Sequence, residues 1–233
     1  MSYIVYILVP LLVVTPTIIP NNGLINYSGI LAEQQGQFKE LQYSFVMKWD
    51  SQGVEDGQFN QPHSIDVDSL GNVYVADSGN SRVQKFTSDG QFITKWGSEG
   101  TKDGQFIGLH DVAVDPSGKF VYTVELGNKH RVQKFTSDGQ FITKWSYEST
   151  GGIESYVDPH QIAMDSLGNV YIPDKGGAKV LKFDGMGKLI TKWGSEGTDK
   201  GQFRVPHGVA VDSADNVYIT DMNNSRVQKF DSN

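Results

Sequence analysis

The chain has 233 residues, with 27 Asp and Glu against 20 Lys and Arg, a formal net charge of −7 and no cysteine. The acidic balance argues against non-specific nucleic-acid binding, which needs clustered Lys and Arg to neutralise phosphates. Without cysteine, thiolate metal sites, disulfide scaffolds and a Cys nucleophile are excluded.

The charge is unevenly placed, since the first charged residue is Glu33. Tyr3–Pro20 reads YIVYILVPLLVVTPTIIP, close to the length of about 20 apolar residues that spans a membrane as a helix. Pro10, Pro16 and Pro20 interrupt it, because each removes a backbone donor. A polar stretch and the small Ala32 follow. Residues 1–32 are expected to be a signal peptide or an uncleaved hydrophobic anchor. Residues 33–43 are a linker, and either case puts the remainder outside the cytoplasm.

From residue 44 the chain repeats itself. Trp49, Trp96, Trp145 and Trp193 are spaced 47, 49 and 48 apart, and RVQKFTSDGQFITKW occurs unchanged at Arg82–Trp96 and Arg131–Trp145. Within one unit, strand a is expected at Ser64–Val67, b at Val73–Ala76, c at Arg82–Phe86 and d at Phe92–Trp96. Alternating apolar and polar residues with β-branched enrichment give the strands, and Asp, Ser, Gly and Asn give the turns between them. The expected fold is all-β, a β-propeller of four-stranded antiparallel blades over 44–233. The last repeat stops after strand c, while Ser44–Trp49 (SFVMKW) matches the pattern of strand d. That strand is expected to pair with the last blade and close the ring, giving a monomer; a truncated larger propeller and a ring shared between two chains are the other readings.

The units PHSIDVDSLGNVYVADSGNSRVQKF and PHGVAVDSADNVYITDMNNSRVQKF resemble NHL repeats. The resemblance covers 44–233 and implies the propeller fold. It says less about function, because such propellers include binding modules, sensor ectodomains and a few lyases. Four blades also depart from the six more usual in the family.

Four of the five histidines, His63, His110, His160 and His207, precede strand a in each repeat. In a propeller that position lies at the mouth of the central channel, where neutral imidazoles can bind a divalent cation such as Zn²⁺. Similarity to the peptide-amidating lyases of the NHL family implies the same use, through Pro62-His63, Pro159-His160 and Pro206-His207 with Leu109-His110 as the variant. That resemblance also requires a nearby Tyr, and the matching b–c turns carry none. The alternative is one His copied four times to shape a loop. Strand parity puts His63 on the side of Ile65 and Val67, towards a neighbouring blade.

Asp77, Glu125, Asp174 and Asp221 end strand b, each followed by a base, Arg82, Arg131, Lys179 and Arg226. These pairs are expected to fix the b–c turn. Asp66–Asn72 faintly resembles a calcium loop but lacks the later bidentate Glu. The Trp residues are expected to pack between blades. The third repeat diverges most, in its d–a loop (Ser146–Asp158), its b–c turn and Pro173 inside strand b. Tyr147, Tyr156, Lys175 and Lys179 are therefore the candidate binding residues. The sequence favours an exported, non-catalytic binding or scaffolding module for a protein or small extracytoplasmic ligand, touching membrane only through an uncleaved N-terminus. The alternative is a zinc-dependent, lyase-like enzyme.

Overall fold

The computed structural model describes residues 43–127, 130–146 and 159–231. The blades lie in the compact unit Met47–Asn233. The first blade comprises β1 (Pro62–Val67), β2 (Val73–Asp77), β3 (Arg82–Phe86) and β4 (Phe92–Trp96). The second comprises β5 (Leu109–Val114), β6 (Phe120–Glu125), β7 (Arg131–Thr136) and β8 (Phe141–Ser146). The third has β9 (Ala163–Met164), β10 (Val170–Asp174), β11 (Lys179–Phe183) and β12 (Leu189–Trp193). The fourth has β13 (Pro206–Val211), β14 (Val217–Asp221) and β15 (Arg226–Phe230). Neighbouring strands within each sheet are consecutive and antiparallel, so the four sheets are the blades of a β-propeller.

In the first blade strands c and d fall where the alternation puts them, strand a begins two residues earlier, at Pro62, and strand b runs one residue further, to Asp77; the closure differs too. Residues 43–50 form no strand, and among the described residues the last sheet stops at β15. The pairing expected of Ser44–Trp49 with the last blade is not made within the chain. Trp49 packs instead on Phe86 of the first blade, ring centroids 6.3 Å apart.

That contact repeats at every junction. Trp96 meets Phe135 at 5.9 Å, Trp145 meets Phe183 at 6.1 Å and Trp193 meets Phe230 at 5.6 Å. The indole at the end of one blade's outer strand covers the c-strand Phe of the next, as expected of the Trp residues. Glycine at the c–d turn makes room for it. Gly139 has φ +91°, and a Cβ there would lie 2.6 Å from the Trp96 ring. Around these aromatics the cores are made where the b and c strands of one blade face the a and b strands of the next, such as Tyr74, Ala76 and Val83 against Leu109, Val112 and Val121.

Pro173 lies inside β10, opposite Val180 of β11. On the other side β9 pairs only Ala163 with Tyr171 and Met164 with Val170. The inner ladder stops short of the proline, which has no N–H to give.

Candidate functional site

Residues of β1, β5, β9 and β13 line a cavity of about 370 Å³ along the inner strands. The four histidines stand where these inner strands begin, and the parity expected of them does not hold. Pro62 pairs with Asp77 and Ser64 with Ala76, so His63 is an extra residue in the ladder. The same slip falls between Leu109 and Asp111 and between Pro206 and Val209. A β-bulge re-aims a side chain and bends its strand, which takes His63 off the face carrying Ile65 and Val67.

The structure brings the four imidazoles together in a row. Ring centroids are 3.8 Å apart for His63 and His110, 4.8 Å for His110 and His160, and 4.5 Å for His160 and His207. Nδ1 of His63 lies 2.9 Å from the carbonyl oxygen of His110, and Nδ1 of His110 lies 2.8 Å from that of His160. A carbonyl only accepts, so Nδ1 carries the proton in both rings and each ring is tied to the next blade's backbone. Burial pushes His110 down to about 4, and the neighbouring imidazoles His63, His160 and His207 push the same way. His110 is therefore neutral at pH 7. The rings lie against one another in series rather than around a shared centre. Among the described residues, no group of three His, Asp or Glu side chains is arranged to hold a metal ion. The zinc set implied by the lyase resemblance does not fit the histidines as placed.

The residue after each histidine has a role that the repeat pattern did not announce. Ser64 Oγ accepts from the Val112 N–H at 3.3 Å and donates to the Asp111 carboxylate. Asp111 Oδ2 accepts from the Ile162 N–H at 2.9 Å, and Gln161 Oε1 from the Val209 N–H at 3.2 Å. Each side chain thus stitches its blade to the next along the inner strands. Asp66 adds a stitch, its Oδ2 accepting from the Val114 N–H at 2.7 Å. Burial raises the Asp111 pKa. The fourth copy has Gly208 in this position and no side chain to reach with. Polarity at this otherwise variable position was the only available signal.

The acid–base pairs form, and they hold more than a turn. Arg82 Nε donates to Asp77 at 2.8 Å, Arg131 Nε to Glu125 at 2.7 Å and Arg226 Nε to Asp221 at 3.1 Å. The rest of each guanidinium donates to carbonyls of the loop entering the blade, as Arg82 does to Val54, Glu55 and Gln58. Gln84, beside Arg82, donates to Gln58 O and Asp77 while accepting from the Gly57 N–H. In the third repeat Asp174 accepts from the Gly177 N–H at 2.9 Å, and the register sets Lys179 opposite Asp174. The Asp68 carboxylate is likewise spent on its own turn, accepting from the Leu70 and Asn72 N–H groups, the Asn72 side chain and the Tyr74 hydroxyl. That accounts for the calcium-loop resemblance as turn chemistry. Of the expected binding residues, Lys175 sits on the b–c turn of the third blade and Lys179 begins β11 just after it. Tyr147 and Tyr156 lie outside the described residues.

The NHL repeat family matches residues 59–86 and 203–230, the a-to-c strands of the first and last blades with the phenylalanine before them. The chain is a β-propeller whose first and last blades match the NHL repeat. Over 147 residues the chain is 27% identical to NHL repeat-containing protein 3 of Homo sapiens, a match covering 62% of the chain but only 42% of that protein. Among solved structures, a streptogramin B lyase superposes with a TM-score of 0.54 at 15% identity, over 73% of this chain and 54% of that one. The Swd1 β-propeller domain of Myceliophteria thermophila gives 0.53 at 11% identity, over 74% and 54%. At these identities the likeness is one of fold.

Proposed function

We propose that this NHL propeller is an exported, non-catalytic module that binds a protein, or another ligand met outside the cytoplasm, through loops on one face. The observation that carries this reading is where the polar groups of the repeat go. Arg82, Arg131 and Arg226 are clamped to their acids and to loop carbonyls. The Nδ1 atoms of His63 and His110 are committed to backbone, and His110 is neutral. The repeated chemistry supports the ring, which leaves recognition to whatever differs between copies. The third repeat differs most, and its Lys175 and Lys179, with Tyr147 and Tyr156, form the proposed contact surface.

Cross-linking of the purified protein to extracytoplasmic proteins, read by mass spectrometry, tests this. Cross-links should concentrate on the third repeat, and Lys175→Glu/Lys179→Glu should cut their yield at least tenfold. Links spread evenly over all four repeats and indifferent to the double variant would remove the surface. Export rests on the uncharged apolar segment before Glu33. Among the described residues no helix is long and apolar enough to cross a membrane. Cell fractionation with N-terminal sequencing checks it, and recovery in the cytoplasm with residues 1–32 intact would refute it.

A second reading, a zinc-dependent lyase-like enzyme, would need the four gathered imidazoles to turn out of the series in which they lie. Elemental analysis of the purified protein beside His63→Ala/His160→Ala separates the two. Stoichiometric zinc that the variant loses supports the second reading; a folded, zinc-free wild type removes it.

A further inference from the structure

The two ends of the blade array are unfinished in complementary ways. At the internal junctions the b- and c-strand residues of one blade are sealed by the a strand and aromatics of the next, so that Val83 is 0% exposed and its partner Val112 2%. The equivalent of Val83 in the last blade, Val227, is 63% exposed, and the equivalent of Val112 in the first, Ile65, is 62% exposed. An apolar groove of about 400 Å³, lined by Trp49, Phe59, Pro62, Ile65 and Val75 among others, runs along the first blade where a preceding blade would lie. Trp49 already occupies the place of that preceding blade's terminal Trp. The last blade lacks an outer strand among the described residues, and β15 offers an open edge. Phe45 and Val46, just before Trp49, are solvent-exposed.

We propose that a second copy of this chain completes the propeller. Each copy lays its Trp49-bearing segment along β15 of the other and seats its first blade on the other's last. The surface missing at one end is the surface displayed at the other, because all four blades are copies of one unit. The arc is also the right size: its aligned part takes up 54% of the Swd1 β-propeller domain, so two copies make about one full ring. A head-to-tail contact used twice closes as a two-fold ring and leaves no edge strand open. The register follows from the first blade, where Val83 faces Trp96 and Lys85 faces Thr94. Val227 of one copy should face Trp49 of the other, and Lys229 should face Met47. Gly208 supplies no side-chain stitch across this junction, so it is weaker than those inside the chain.

The absence of native cysteine makes the register directly testable. In Met47→Cys/Lys229→Cys the two Cα atoms would stand about 4.5–5.5 Å apart across the antiparallel pair, within disulfide range. Oxidation should give a two-chain band on a non-reducing gel. Light scattering should give the wild type twice the 25.7 kDa chain mass. Val227→Glu and Ile65→Glu, each at a site exposed in the single chain, should halve that mass with an unchanged circular dichroism spectrum. A one-chain wild type, an assembly larger than two, or a disulfide formed only within one chain would each overturn the proposal.

Discussion

Gly139 sits under the Trp96 ring at positive φ, and the two demands can be separated by substitution. Gly104 has φ +75° with nothing within 4 Å of where a Cβ would stand, whereas at Gly139 an added Cβ meets the indole at 2.6 Å. Gly104→Ala should cost about 1 kcal/mol from left-handed backbone alone. Gly139→Ala should cost about 2–4 kcal/mol, with over-packing added; thermal unfolding of the pair reads the difference. The pKa of His110 falls from 6.5 to about 4 on folding, so between those values the unfolded chain binds more protons. The stabilisation is complete above pH 6.5 and lost as pH falls towards 4. Asp111, whose pKa is raised by burial, works in the opposite sense, favouring the fold at low pH. NMR titration of the His110 imidazole should find it neutral at pH 6, and His110→Gln should flatten stability over that range. None of the bulge that places His110 was legible beforehand: a ladder slip of one residue leaves no trace in an alternation of period two.

At the scale of the element, the arginine clamp on the loops entering the first, second and fourth blades is the main device. Arg131 and Glu125 have side chains 9% and 4% exposed, and the guanidinium bridges strand and loop. Arg131→Ala would strand a buried carboxylate and should cost about 3–5 kcal/mol. The exposed Lys144–Asp103 pair joins the same loop to the outer strand, and Lys144→Ala should cost under about 1 kcal/mol. Chemical denaturation of both variants checks the contrast. Asp77, Glu125 and Asp221 were recognisable as partners of the following base from spacing alone. Their second role was not, because the loop carbonyls they help to hold, such as those of Val54 and Gln58, carry no pattern. Strands c and d came out at the expected residues, since Arg82–Phe86 and Phe92–Trp96 are bounded by turn residues on both sides.

For the whole molecule, the period of 47 to 49 residues made the four blades legible, and the closure was not. SFVMKW matches strand d, but which β15 it pairs with depends on where the chain ends lie in space, a non-local matter outside any repeat pattern. If two chains share the ring, unfolding is coupled to dissociation. The melting temperature of the wild type should then rise with protein concentration, and that of Val227→Glu should not. Differential scanning calorimetry over a hundredfold dilution makes the comparison.

Ser64, Asp111, Gln161 and Gly208 occupy one position of the repeat and are four different residues. The blades they belong to are otherwise near-copies, and identical neighbours invite assembly in the wrong order, a characteristic failure of repeat proteins. A blade that docks out of turn would set Gln161 or Gly208 where the Ser64–Asp111 contact belongs, and lose it. The contacts along the inner strands therefore differ from junction to junction, and a blade docked out of turn does not remake them.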